Sequence, residues 1–170
     1  MLFAADTTEL QRPHTYVFNQ PELVSTQRVF GVANATVMLG TACHAFPAAT
    51  AAYEAWLTEN QSTMQTLTAT LAVHYRIALD TPNQQSRVAQ AMHLKTSLDL
   101  SPDTLDEVCP TLADTLVLPQ MNLQQRYRDT LAEVSDPNYL KLKNKPARPA
   151  SATEVKASTS DAETATEQTP

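Results

Sequence analysis

The hydrophobic residues of this chain recur in steps of three and four, the spacing that places side chains along one face of an α-helix. The longest run starts at Pro47 and continues in such steps to Ala78, with Asn60 as its one polar member. Similar runs predict five helices, over residues 21–43, 47–78, 82–94, 101–117 and 122–134. We therefore expect an all-α fold, a single domain of four to five helices.

The two glycines and eleven prolines of the chain favour the same interpretation. Sheets with tight turns recruit glycine where the backbone needs a positive φ, whereas proline fits the first turn of a helix, where an N–H is dispensable. Four of the predicted helices start at or just after a proline, namely Pro21, Pro47, Pro82 and Pro102. Thr81 and Ser101 each precede one of these prolines and are predicted N-caps.

One segment also fits a strand. The sequence LTATLAVHYRIAL, from Leu67 through Leu79, alternates apolar and polar residues and is rich in Thr and Val. A small α+β fold with this segment as a strand is the minor alternative. Helix is favoured, because a strand here would find only short partners for its backbone groups.

Interruptions are considered at two places within the predicted helices. A break in the second helix at residues 60–63, where Ser62 and Gln65 have the spacing of a capping box, would make it easier for the chain to return from Cys43 to Cys109. Pro110 lies inside the fourth helix and should kink or restart it, because proline removes a backbone donor.

Composition divides the chain into three parts: an extended N-terminal segment (residues 1–20), the helical domain (21–136) and a tail rich in Pro, Ala, Ser and Thr (137–170). The tail has too few large apolar residues to offset its ordering entropy and is predicted to be disordered. Residues 1–136 carry 7 Lys and Arg against 14 Asp and Glu, so the domain is acidic. Nucleic acid is therefore not an expected partner. No run approaches the roughly 20 apolar residues of a membrane span.

The two cysteines, Cys43 and Cys109, are predicted to form a structural disulfide. Both have apolar neighbours, and the helices between them allow the chain to return. Such a bond indicates a periplasmic or secreted protein, and the N-terminal MLFAADTTEL resembles the end of a signal peptide. The alternatives are two free thiols in a cytoplasmic protein, or a reactive Cys43 with His44 as its base. The last is disfavoured, because adjacent helical residues project about 100° apart.

The remaining candidate residues point away from catalysis. The four histidines (His14, His44, His74 and His93) lack metal-ligand spacing, and no phosphate loop or nucleophile elbow is present, so neither metal nor cofactor is expected. Three aromatic residues, Tyr53, Trp56 and Tyr75, are predicted to lie in the core or line a pocket. The first hypothesis is a non-catalytic helical binding or accessory protein that contacts another protein. The alternatives are a thiol-dependent enzyme or redox sensor using Cys43, and a small-molecule carrier with a pocket near Trp56.

Overall fold

The computed structural model describes residues 19–139, and this part of the chain contains five α-helices and no strand. The helices are α1 (Pro21–Ala42), α2 (Pro47–His74), α3 (Gln84–Ala91), α4 (Pro102–Leu116) and α5 (Leu123–Val134), with a 3₁₀ turn at Pro119–Met121. The predicted all-α fold is confirmed, and each predicted helix is present. Most of the predicted N-terminal segment and tail lies outside the described residues.

The prolines start three of the helices as predicted: Pro21, Pro47 and Pro102 stand in the first turns of α1, α2 and α4. Ser101 caps α4, since its side chain accepts a hydrogen bond from the backbone N–H of Thr104. The predicted cap at Thr81 is wrong. Helix α3 starts after Asn83, which has a left-handed φ of 59° that asparagine tolerates better than most residues.

Helix α2 continues through most of the ambiguous segment, so the strand alternative is not observed. The helix closes after His74 in a Schellman motif, in which the N–H of Ile77 donates to the carbonyl of Ala72 (2.8 Å). Arg76 takes the left-handed conformation (φ 56°) that glycine usually provides in this motif. The apolar residues Tyr75 and Ile77, which continued the strand-like alternation in the sequence, therefore belong to the C-terminal end of a helix.

Neither helix ends at these positions. Helix α2 is continuous across residues 60–63, and both polar groups of the buried Asn60 side chain are hydrogen-bonded: its Nδ2 donates to the carbonyl of Trp56 (2.9 Å), and its Oδ1 accepts from the N–H of Leu123 (2.7 Å). Helix α4 passes through Pro110 without ending. Pro110 and Asp106 are both exposed, so water can satisfy the carbonyl that lacks its helical donor.

Helix α2 is the central element of the core, since α1, α3, α4 and α5 all pack against it, and α1 also packs against α5. Arg28 of α1 contacts both α5 and the residues that follow it. Its Nη1 lies 3.6 Å from Oε1 of Glu133 in α5, and its guanidinium lies 5.4 Å from the ring centre of Tyr139. Tyr139 is only 5% exposed. The packed region thus reaches three residues beyond the boundary expected at residue 136.

A close approach of α1 and α2 depends on Gly40. A Cβ atom built at Gly40 would collide with the ring of Tyr53, whereas one built at Gly31 would meet open space. Both glycines lie in α1, but only one of them is needed for packing. Gly40 makes room for the ring of Tyr53 in the next helix, whereas a side chain at Gly31 would meet no neighbouring atom.

Candidate binding groove and disulfide

The predicted disulfide between Cys43 and Cys109 is present, and it joins the end of α1 to the middle of α4. The Cα atoms are 5.5 Å apart, and both residues are fully buried. The bond closes a loop with a sequence separation of 66 residues. A loop of that length corresponds to about 4 kcal/mol of stabilisation through restricted entropy of the unfolded chain.

His44 does not form a reactive pair with Cys43. The histidine is exposed, and its Nδ1 lies 3.0 Å from the carbonyl oxygen of Thr41 in the last turn of α1. Because the sulfur of Cys43 is bonded to Cys109, no thiolate is present for a neighbouring base to activate.

Trp56 belongs to the core. Its side chain is 3% exposed, and its Nε1 donates a 2.7 Å hydrogen bond to the carbonyl of Met121 in the 3₁₀ turn. The ring of Tyr53 stacks beside it, with 6.3 Å between ring centres. Burial raises the pKa of Tyr53 above its ordinary value, and a hydrogen bond with Thr41 opposes that shift. These two aromatics therefore fix the junction of α1, α2 and the 3₁₀ turn.

Tyr75, the third predicted aromatic, lies at the opposite end of α2. Its hydroxyl accepts a 3.0 Å hydrogen bond from Nε2 of the buried Gln27 in α1. The ring of His74 meets it edge-on at 4.7 Å between centres. The structure thus does not bring the three aromatics together into one site, because Tyr75 is separated from the other two by most of the length of α2.

A groove with a volume of about 980 Å³ lies between α1, α2 and α5. We call it the threonine groove, because four of its lining residues are threonines. The lining comprises Asn19, Gln20, Pro21, Glu22, Leu23, Thr26, Ser62, Thr63, Thr66, Leu67, Thr70, Val73, His74, Gln124 and Tyr127. It contains one carboxylate, Glu22, and no lysine or arginine.

The groove is less polar than its composition suggests. Thr26, Thr66 and Thr70 each donate their hydroxyl hydrogen to the carbonyl four residues earlier in the same helix, at 2.8–3.0 Å. With these donors already engaged, the methyl groups are the parts of the side chains that remain for contact. Val73, 66% exposed, adds an apolar side chain to the same wall.

Sequence reasoning did not find this groove. The only signal was the step from Thr63 to Thr66, Thr70 and Val73, which runs along a face of α2 that the apolar stripe does not use. Because threonine is classed as polar when apolar periodicity is examined, a helix face formed by threonine methyl groups is predicted to face solvent. The groove also needs α1 and α5, whose packing could not be inferred from α2 alone.

A second, smaller cavity of about 340 Å³ lies between α2 and the start of α3. Its lining is rich in glutamine: Leu57, Gln61, Met64, Gln65, Thr68, Gln84 and Gln85. Neither cavity is lined by Tyr53, Trp56 or Tyr75. The predicted pocket near Trp56 therefore does not correspond to either of them.

Within residues 19–139, no three His, Cys, Asp or Glu side chains are grouped so that they could hold a metal ion. The helices of this region also lack the length and apolar character needed to cross a membrane. Comparison with known protein families, with curated proteins and with solved structures finds no match for this chain.

Proposed function

We propose that this protein is a non-catalytic binding or accessory protein that contacts another protein through the threonine groove. The observation that supports this most is the groove itself: a long wall of threonine methyl groups, Leu23 and the exposed Val73, with a single carboxylate. Exposed apolar surface rimmed by polar residues is typical of protein interaction sites. Asn19, Gln20 and Gln124 in the lining have amide groups that can form hydrogen bonds with a peptide backbone.

We further propose that the protein acts in an oxidising space, as a periplasmic or secreted protein. The Cys43–Cys109 disulfide supports this, because such bonds persist in those compartments and are rare in a reducing cytosol. The intact mass of the protein, isolated from its natural source without reductant, should be lower by two hydrogens than that of the reduced chain. Two free thiols in that sample would contradict the assignment.

The groove can be tested by placing a photo-crosslinking side chain at Thr66, which is exposed on its wall. Thr111 provides the matched control, since it is an equally exposed threonine on α4 whose hydroxyl also donates to its own helix. We expect a defined adduct from position 66 and none from position 111. Adducts of the same species from both positions would indicate random collision and contradict the proposal.

The partner identified in that adduct then allows a quantitative test with purified proteins. Thr70→Arg places a long charged side chain in the groove and should raise the dissociation constant at least about tenfold, since a buried unpaired charge costs more than 1.4 kcal/mol. Thr115→Arg makes the same change on the exposed face of α4 and should alter it less than about twofold. If the two variants changed the dissociation constant equally, the partner would bind outside the threonine groove.

A further inference from the structure

The segment that contains α4 is fixed at its two ends by hydrogen bonds from other helices. Asn34 of α1 donates through Nδ2 to the carbonyl of Lys95 (2.8 Å), and Trp56 of α2 donates to the carbonyl of Met121 (2.7 Å). No hydrogen bond described for residues 96–119 reaches α1, α2 or α3. At the C-terminal limit, the N–H groups of Met121 and Asn122 donate to the carbonyls of Leu118 and Pro119, and Nε of Arg126 in α5 donates to the carbonyl of Gln120 (2.8 Å). Residues 96–120 thus form a unit that is attached by hydrogen bonds at its limits.

Between these limits the segment is held by one narrow stripe. Its buried residues are Cys109, Leu112 and Leu116, which follow one another in steps of three and four on α4, and the half-buried Leu105 packs against the core one turn earlier. This stripe packs chiefly on α2. Cys109 is itself part of the stripe, and its sulfur and that of Cys43 have no exposed surface. Both sulfur atoms are thus inaccessible while α4 lies on α2.

We propose that residues 96–120 form a flap that controls thiol–disulfide exchange at Cys43–Cys109. A thiol reagent reaches the two sulfur atoms after α4 leaves α2, while α1, α2 and α5 remain packed. Local openings of this kind require less free energy than global unfolding, and they occur where few apolar contacts must be broken. Helix α4 buries three residues, whereas five of the eleven buried residues of α1 are apolar. Helix α5 buries only Leu123, but it packs on both α1 and α2 and is joined to them by the Asn60–Leu123 hydrogen bond and the Arg28–Glu133 ion pair.

The exchange is a two-electron reduction by a dithiol such as dithiothreitol. A thiolate of the reductant attacks one cysteine sulfur, the S–S bond breaks, and the other cysteine leaves as a thiolate that takes up a proton. The second thiol of the reductant then attacks the mixed disulfide and closes a disulfide within the reductant. The protein gains two thiols, and the reductant supplies both electrons.

The test is the rate at which dithiothreitol reduces the disulfide in the native full-length chain, followed by alkylation and mass spectrometry. Leu112→Ala weakens the flap contact and should accelerate reduction at least about 30-fold, because removing a buried leucine side chain shifts such an equilibrium by that factor or more. Leu116→Ala, on the same stripe, gives an independent measurement with the same expectation. Phe30→Ala is the control, because this fully buried side chain lies in α1, outside the stripe and outside the threonine groove, and its removal destabilises a protein at least as much as that of a leucine.

For Phe30→Ala we expect a reduction rate within about threefold of the wild-type rate, although the variant is also destabilised. Equal acceleration by the α1 and α4 variants would show that exchange requires global unfolding and would overturn the proposal. A native chain reduced as fast as the urea-unfolded chain would overturn it as well. Far-UV circular dichroism before the reaction shows that each variant is folded when reduction begins.

Discussion

Two regions of this molecule are stabilised by different interactions. Helices α1, α2 and α5 form a bundle in which buried side chains are continuous and polar contacts cross between elements, such as Asn60 to Leu123 and Arg28 to Glu133. Helix α4 has three buried residues and is joined covalently through Cys109. The bundle therefore depends on many distributed contacts, whereas α4 depends on one bond and one stripe.

Removing the disulfide should produce the largest change in unfolding free energy, and it should weaken mainly the attachment of α4. The double variant Cys43→Ala/Cys109→Ala is expected to lose about 4 kcal/mol of unfolding free energy, because the unfolded chain regains its loop entropy. Urea denaturation followed by circular dichroism measures the loss, with the helical signal at zero urea retained. A loss below about 1 kcal/mol would mean that the disulfide contributes little to holding α4.

Replacing the buried Asn60 tests the bundle. Asn60→Ala leaves the N–H of Leu123 buried without its acceptor, which should lower the unfolding free energy by about 1–3 kcal/mol. The matched control is Asn122→Ala: the half-buried Asn122 caps the same helix by accepting from the N–H of Gln125 (2.9 Å), and its Nδ2 donates to Oε1 of Glu59 in α2 (3.0 Å). Both partners belong to exposed residues that water can reach, so this change should cost about 1 kcal/mol or less. If Asn122→Ala proved the more damaging change, the buried Asn60–Leu123 bond would not be the main polar connection from α2 to α5.

These asparagines show where prediction from sequence succeeded and where it failed. The apolar periodicity and the prolines were sufficient for the five helices, because both signals are local. Asn60 stood out in the sequence only as the one polar member of the apolar stripe near a possible break, because its partner at Leu123 lies 63 residues away and leaves no local trace. The disulfide was predictable because the chain has only two cysteines. The threonine groove was not predictable, because it depends on three helices and on hydroxyl groups that turn back to their own backbone.

The two glycines of α1 test how closely α1 and α2 approach each other. Gly40→Ala places a methyl group against the ring of Tyr53 and should destabilise the protein by about 1–3 kcal/mol. Gly31→Ala meets open space and should stabilise it by up to about 1 kcal/mol, because alanine restricts the unfolded chain and favours helix. Thermal denaturation of the two variants measures both changes. Shifts of the same sign would contradict the close approach of α1 and α2 at Gly40.

The smallest expected effect concerns the link between α3 and α4. His93 follows α3 with a left-handed φ of 54°, and the N–H of Leu94 closes a Schellman motif on the carbonyl of Ala89 (2.8 Å). His93→Gly removes the Cβ strain and should raise the unfolding free energy by up to about 1 kcal/mol. His44→Gly is the control, since His44 is also exposed but is not among the residues with positive φ, and it should not stabilise. Stabilisation by both would point to a general effect of removing histidine.

Hydrogen exchange read by mass spectrometry tests the central claim most directly, because it reports each helix separately. The wild-type protein and the Cys43→Ala/Cys109→Ala variant would be compared under native conditions. We expect peptides from α4 to lose protection in the variant, while peptides from α1, α2 and α5 keep most of theirs. A uniform loss of protection across all helices would contradict the claim that α4 and the bundle are held in different ways.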